Sequence, residues 1–177
     1  MPNIHFWLMS MIFRFRDFIA PRKNILIEVG IKPGYHILDF GCGPGSNILP
    51  ASELAGASGK VYALDIHPLA INRIQEIASE NKLSNVATIL SDCKTSLPDN
   101  SIDIVLLYDI FHMLGEPDEV LKEIHRVLKH NGILSFSDHH MREKEILSRV
   151  PETGLFRLLR KGKRTYTFVK EDIPPTW

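Results

Sequence analysis

Cysteine is almost absent from this chain, Cys42 and Cys93 being the only two in 177 residues. Two isolated thiols, each just after an apolar run, make neither a disulfide framework nor a metal knuckle, and a reducing cytoplasm is the expected setting. Net charge is absent as well, with 21 basic side chains against 21 acidic ones. No global field draws such a chain towards nucleic acid or an anionic membrane, so any polyanion preference has to be local. Also missing is an uncharged run of the ~20 residues that a spanning helix needs. The nearest approach, Met1 to Phe13, is closed by Arg14, Arg16 and Asp17 and has neither a basic leader nor a small-residue cleavage site. Ile4 to Phe18 is expected as an amphipathic helix, with Ser10, Arg14 and Asp17 in one narrow polar stripe on a wide apolar surface. Repeats, linkers and low-complexity tracts are lacking too. The length fits one domain with a full core and leaves no room for a second catalytic one.

What is present concentrates in Ile37 to Asn47, ILDFGCGPGSN. An apolar run ends in Asp39 and is followed by glycines at 41, 43 and 45, so a strand passes through a tight turn into a helix. Glycine permits positive φ and removes the Cβ, which lets backbone N–H groups approach a ligand above the strand end. The dinucleotide fingerprint spaces its glycines as Gly-x-Gly-x-x-Gly, whereas this turn is Gly-x-Gly-x-Gly with a carboxylate two residues ahead. That spacing favours S-adenosylmethionine over NAD. On motif shape alone, a glycine turn that only packs a helix against a sheet is the competing explanation.

The rest of the chain alternates strand and helix. Pro21 to Glu28 has a short helical pattern closed by Gly30 and by the turn signal Pro33-Gly34. Strands are expected at His36 to Phe40, Lys60 to Leu64, Val86 to Leu90, Ile102 to Leu107 and Ile133 to Ser137. The intervening helices run from the glycine turn to about Gly56, from His67-Pro68 to Asn81-Lys82 with Leu69, Ile74, Ile77 and Ala78 as apolar face, and from Pro117 to Leu128 with Asn131-Gly132 as stop. Arg142 to Val150 is a last helix, and Leu155 to Lys161 and Lys163 to Lys170 face each other across Gly162 as a hairpin. Such an order predicts an α/β fold with a doubly wound, mostly parallel sheet and an antiparallel C-terminal hairpin. Residues 1–32 are expected as a helical cap, 33–172 as the cofactor-binding domain and 173–177 as a tail.

In a doubly wound sheet ligands sit outside the carboxyl ends of the strands. Asp39, Asp65, Asp92 and Asp109 end four consecutive strands, and an isolated loop or cap aspartate does not explain four in register. Asp65 lies 20 residues beyond Gly45, where a carboxylate accepts from ribose hydroxyls, and Asp92 is placed to accept from an adenine amino group.

With these pieces in view the chain resembles a class I S-adenosylmethionine-dependent methyltransferase, of the small type related to ubiquinone/menaquinone C-methyltransferases. The resemblance rests on ILDFGCGPGSN, on VYALDIHP from Val61, on SDCKTSLPDNSIDIVLLYDIFHML from Ser91 and on LKEIHRVLKHNGIL from Leu121. It covers Pro33 to about Lys170 and implies a Rossmann-like sheet of seven strands, the last antiparallel. It also implies that Asp39 and the backbone of Gly41, Cys42, Gly43 and Gly45 hold the methionine end of S-adenosyl-L-methionine. Asp65 with Ile66 would take the ribose side, Asp92 with Cys93 the adenine, and Tyr108 the methionine backbone.

The acceptor is less legible. Amino-group DNA methylation is disfavoured, because Tyr108-Asp109-Ile110-Phe111 stands where those enzymes carry Asn/Asp-Pro-Pro-aromatic, and arsenic methylation would need extra thiols. Asp109 and Asp138, with His139 and His140, invite comparison with metal-dependent O-methyltransferases, but Asp138 as a helix cap and the histidines as solvated loop residues are the stronger explanation, so no metal is expected. His112 follows strand four and either acts as a general base or closes the cofactor pocket. Arg157, Arg160, Lys161, Lys163 and Arg164 gather on the hairpin, where basic side chains protect a sheet edge from pairing. The expected activity is methyl transfer to a small or moderately apolar acceptor, admitted beneath the N-terminal helix as lid. The rivals are a non-catalytic cofactor-binding module that uses that helix as an interface, and a small NAD-dependent oxidoreductase.

Overall fold

The computed structural model describes residues 22–171, so the expected lid helix at Ile4 to Phe18 and the tail lie outside the described residues. Seven strands form a mixed sheet, parallel except for the C-terminal pair. Compact packing divides the chain between Asp92 and Cys93, and the two units are taken in turn.

In the first unit α1 (Arg22–Val29) buries Leu26 and Val29 and ends at Gly30. β1 (His36–Phe40) pairs in parallel with β2 (Lys60–Asp65), and β2 in parallel with β3 (Val86–Leu90). Ile37, Leu38 and Phe40 are buried together on β1, the signature of a strand covered on both faces. Between β1 and β2 runs α2 (Ile48–Ala55), with Pro50 inside its first turn, where the missing N–H leaves no intrahelical bond unmade. α3 (Pro68–Glu80) follows β2; His67 caps it by accepting the Leu69 N–H on Nδ1, and Pro68 occupies the first helical position. Its buried face is Ala70, Ile71 and Ile74, one step round from the expected face, while Leu69, Ile77 and Ala78 are only half-buried.

In the second unit β4 (Ile102–Tyr108) buries every residue but Asp103 and pairs in parallel with β5 (Leu128–Ser137). A short 3-10 turn (Phe111–Met113) and α4 (Pro117–Val127) connect them, with Val120, Leu121, Ile124 and Val127 inward at helical spacing. Asn131-Gly132 does not stop the helix as expected. β5 begins directly at Leu128, and the register jumps from Ile102↔Leu128 to Ile104↔Ile133, so the Asn-Gly pair lies in a bulge within the strand. Space is tight at Gly132, where a Cβ would come within 2.9 Å of the Leu128 side chain, 3.0 Å of the Lys129 carbonyl oxygen and 3.1 Å of the Ile102 carbonyl oxygen. α5 (Glu143–Glu152) is closed at its start by Glu145 reaching back to the Arg142 N–H. β6 (Phe156–Lys161) and β7 (Tyr166–Lys170) form the antiparallel hairpin, and β7 also pairs antiparallel with β5. Lys163 and Arg164 sit in the connecting loop rather than on a strand. Lys161 pairs with Glu143 at 2.7 Å and Arg157 with Glu171 at 2.9 Å, so those two basic residues are bound to the protein's own carboxylates.

Candidate active site

Between β1 and α2 the chain turns on three residues of positive φ: Gly41 at 77°, Gly43 at 50° and Gly45 at 90°. The Gly41 and Cys42 N–H groups both donate to the Leu64 carbonyl oxygen, at 2.8 and 2.9 Å, which ties the turn to β2. Space differs sharply along it. A Cβ at Gly43 would meet nothing within 4 Å, whereas one at Gly45 would come within 2.6 Å of Ile74 and 2.7 Å of Ile77. Gly45 therefore seats α2 against α3, and the side of the turn at Gly43 is open to a ligand. The packing explanation therefore applies at Gly45, while Gly43 has space that packing does not use.

Asp39 is 2% exposed and is met by one side chain, Asn47, whose Nδ2 donates to both carboxylate oxygens at 3.2 Å. Burial pushes the Asp39 carboxyl up from 3.8 to about 7; the Asn47 hydrogen bond opposes the rise and the charge of Asp65 adds to it. Asn47 is itself buried, and among the described residues its Oδ1 has no hydrogen-bond partner. Two acceptor groups short of donors thus lie together under the turn, an arrangement that costs stability unless something supplies N–H groups. The Cys42 thiol is pushed up by burial and by the charges of Asp39 and Asp65, which makes it a packing residue and not a nucleophile.

At the end of β2, Asp65 holds two backbone amides: Gly43 N–H donates to Oδ2 at 2.9 Å and His67 N–H to Oδ1 at 2.8 Å. Each oxygen keeps a second lone pair. Ile66 beside it is 69% exposed, and Leu90, paired in register with Asp65, is 58% exposed, so two apolar side chains stand in solvent at neighbouring strand ends. Asp92 is exposed one residue beyond Ser91, whose N–H donates to the Asp65 carbonyl oxygen.

In the second unit Tyr108 is buried and its hydroxyl lies 2.7 Å from Ser135 Oγ on the neighbouring strand. Beyond it Asp109 takes a positive φ of 57°, uncommon for a non-glycine residue. Its Oδ1 accepts from the His139 N–H and lies 2.7 Å from His139 Nδ1. Asp138, with a fully buried side chain, is contacted by the His112 and His140 N–H groups and by His112 Nδ1 at 2.8 Å. The rings of His112 and His140 lie tilted to each other with centroids 4.3 Å apart, and those of His140 and His139 likewise at 4.0 Å. Asp138 caps no helix, since α5 starts after Arg142. Among the described residues no group of three or more His, Cys, Asp or Glu side chains is arranged to hold a metal ion.

The first unit thus brings together Asp39, Gly41, Cys42, Gly43, Gly45 and Asp65, with Ile66 and Asp92 exposed at strand ends. Sequence reasoning passed over Asn47, although it closes the quoted motif, and treated Asp138 without its partner His112. A polar residue in the first turn after a glycine loop was the available signal for Asn47. Among the described residues no helix is long and apolar enough to cross a membrane.

Comparison with known proteins bears on this geometry. The chain is 32% identical over 134 residues to the demethylmenaquinone methyltransferase of Geobacillus stearothermophilus, covering 74% of this chain and 56% of that protein. It is 32% identical over 126 residues to the aklanonic acid methyltransferase DauC of Streptomyces sp. (strain C5), covering 68% and 56%. The chain therefore spans about half the length of these curated relatives. Among solved structures, a SAM-dependent methyltransferase from Aquifex aeolicus superposes with a TM-score of 0.75 at 28% identity, over 85% of this chain and 88% of that one. Residues 31–171 match the family described as a methyltransferase domain, and the chain belongs to that family, with the class I S-adenosylmethionine-dependent methyltransferase fold.

Proposed function

We propose that the protein transfers a methyl group from S-adenosyl-L-methionine to a small, moderately apolar acceptor. The observation that carries this is the pair of under-donated acceptors beneath the open side of the glycine turn, Asp39 and the Asn47 Oδ1. An amino acid's ammonium group brings three N–H donors and a positive charge, which is what a buried carboxylate beside an orphaned amide oxygen lacks. The residues present therefore fit the cofactor. Asp39, with the backbone of Gly41, Cys42, Gly43 and Gly45, would hold its methionine end.

Asp65 would accept from the ribose hydroxyls with the lone pairs its backbone amides leave over. The exposed side chain of Ile66 offers an apolar face beside it, and Asp92 with Cys93 would take the adenine edge. Tyr108 would contribute through its main chain, its hydroxyl lying 2.7 Å from Ser135 Oγ. When bound, S-adenosylmethionine supplies a methyl group on a positive sulfur, which leaves as a neutral thioether. The protein's part is to position the acceptor and exclude water, for which no protein nucleophile is required.

The printed activities of the relatives, on demethylmenaquinone and aklanonic acid, support an acceptor of apolar ring character. A content of two cysteines, one of them buried, supports a reducing cytoplasmic setting. Nothing in the net charge favours nucleic acid as partner. Calorimetric titration with S-adenosylhomocysteine, S-adenosylmethionine and NADH tests the proposal: saturable binding of the first two and none of NADH is expected. Binding of NADH alone would overturn it.

A further inference from the structure

The hairpin of β6 and β7 carries a surface that methyl transfer does not use. Residues 153–170 hold six basic side chains and no acidic one, in a chain whose net charge is zero. Setting Glu171 and Glu143, the partners of Arg157 and Lys161, against them leaves an excess of four positive charges. Both ion pairs are exposed at either end, where such pairs hold their members weakly. On β6 every residue from Arg157 to Lys161 is exposed, so the strand projects past the core on both faces. The register with β7 shifts between Leu158 and Arg160, which makes Leu159 the extra residue of a bulge. Arg157 opposes Val169 and Arg160 opposes Thr167, so the bulge brings both arginines to one face of the hairpin. Leu158 and Lys161 share the other face with Phe168 and Tyr166, and Lys163 and Arg164 follow, exposed, in the connecting loop.

Protection of the sheet edge accounts for the bulge and for some of the charge, but not for the leucines. Leu158 is 38% exposed and Leu159 52%, between Arg157 and Arg160, and apolar surface on an edge strand invites the pairing that charge is there to prevent. We infer that this hairpin docks on the surface of an anionic lipid bilayer. Guanidinium and ammonium groups complement headgroup phosphates, and leucines set among them reach the boundary of the acyl chains, the combination that holds a peripheral protein at an interface. Each basic residue near such a surface strengthens binding several-fold, and salt weakens the attraction. A nucleic acid strand fits this surface less well, because it needs exposed aromatic rings on which bases stack. Here Phe156 and Phe168 are buried, and Tyr166 is half-buried with Lys161 Nζ 6.0 Å from its ring centre. The bilayer contact involves the second unit alone and is independent of what the cofactor turn binds.

The test is sedimentation of the full chain with vesicles of phosphatidylcholine alone and of phosphatidylcholine with about 30% phosphatidylglycerol. Circular dichroism and thermal unfolding establish that each variant is folded. The mixed vesicles are expected to carry the protein down at about 50 mM salt and to lose about tenfold or more in affinity at about 500 mM, while phosphatidylcholine alone leaves it in solution. Lys163→Glu combined with Arg164→Glu, both in the exposed loop, should weaken binding by about tenfold or more, and Lys163→Arg with Arg164→Lys should leave it unchanged. Leu159→Ser should weaken binding roughly fivefold to tenfold and keep its salt dependence. Absence of the protein from the mixed-vesicle pellet at low salt would overturn the proposal, as would equal binding to the two kinds of vesicle. Binding that the charge reversal leaves intact would place the lipid affinity elsewhere in the chain and so refute this surface. A single-stranded oligonucleotide that displaces the mixed vesicles and binds more tightly through Lys163 and Arg164 would overturn the bilayer in favour of nucleic acid.

Discussion

Replacing Asp39 with Asn should make the ligand-free protein more stable at neutral pH and worse at holding its cofactor. The folded carboxyl takes up its proton at about 7, against 3.8 for an ordinary aspartate, so between those values the folded chain binds a proton that the unfolded chain has lost. Stability is then greatest below pH 4 as far as this group is concerned, and falls as pH rises through about 7. At about 1.4 kcal/mol per pH unit, the span from 3.8 to about 7 amounts to a penalty of about 4 kcal/mol above pH 7. Asn removes the charge. Its amide would also give Asn47 Oδ1 the donor it lacks while accepting from Asn47 Nδ2, making a reciprocal amide pair. For a chain of this length a gain of that size corresponds to a melting temperature raised by roughly 10 °C.

The assay is thermal unfolding of both proteins from pH 5 to pH 8 without ligand. Wild type should lose stability relative to Asp39→Asn across that range, the difference being smallest at pH 5 and flattening above about 7. Parallel curves, or a variant less stable than wild type at pH 8, would refute the account of Asp39. The same physics makes cofactor binding proton-linked. An ammonium seated on Asp39 favours the ionised form, so wild-type affinity for S-adenosylhomocysteine should rise with pH up to about 7, and protons should be released to buffer. Asp39→Asn should lose that dependence and roughly 10-fold to 100-fold in affinity, the worth of one charge-assisted hydrogen bond.

Gly45→Ala places a Cβ against Ile74 and Ile77 at a φ of 90°, and urea unfolding should show a loss of about 1–3 kcal/mol even where the isoleucines shift aside. Asp65→Ala strips the acceptor from the Gly43 and His67 N–H groups, and a loss of about 1–3 kcal/mol should accompany at least tenfold weaker S-adenosylhomocysteine binding by calorimetry. Glu123 is held down at about 2 by the Arg126 hydrogen bond, with Thr95 donating to it as well, so its contribution is present above pH 4.5 and lost as pH falls towards 2. With Arg126 36% exposed the screened value is about 1–2 kcal/mol, and Glu123→Gln should show that deficit in urea midpoints at pH 7, roughly half of it near pH 3 and little near pH 2.

Much of this architecture is written locally. His36–Phe40 and Val86–Leu90 coincide with the segments that predict them, because turn residues mark their ends; the first is covered on both faces, whereas the second is half-buried and ends in an exposed Leu90. Leu128–Ser137 was only half legible. Asn-Gly is a strong turn signal, and nothing in the chain itself reveals that Ile102 draws Leu128 into pairing ahead of the bulge. The face of Pro68–Glu80 was displaced by one step for the same reason, since tertiary packing selects among several apolar positions that periodicity leaves open. At the site, Asp39 and Asp65 were legible as strand-end acids. Asn47 and the bond between His112 and Asp138 were not, because each joins residues that meet only after a turn or a full βαβ excursion.

Two buried aspartates separate what the protein finishes for itself from what it leaves to a ligand. Asp138 receives three N–H donors from its own unit, and with its side chain fully covered it is complete without any other molecule. Its influence is exerted through the imidazole it orients. Asp39 is as deeply buried, yet it receives one amide group stretched to 3.2 Å from both oxygens, with an orphaned amide oxygen beside it. A carboxylate left in that condition is a standing cost to the fold, large enough to raise its pKa to about 7. Sequences that merely pack a helix on a sheet have no reason to keep such a group, and an apolar residue there would serve packing better. A cation with N–H donors would complete it beneath a turn that is open at Gly43, and on the proposed reading Asp39, more than the glycines around it, would be the group that the cofactor satisfies.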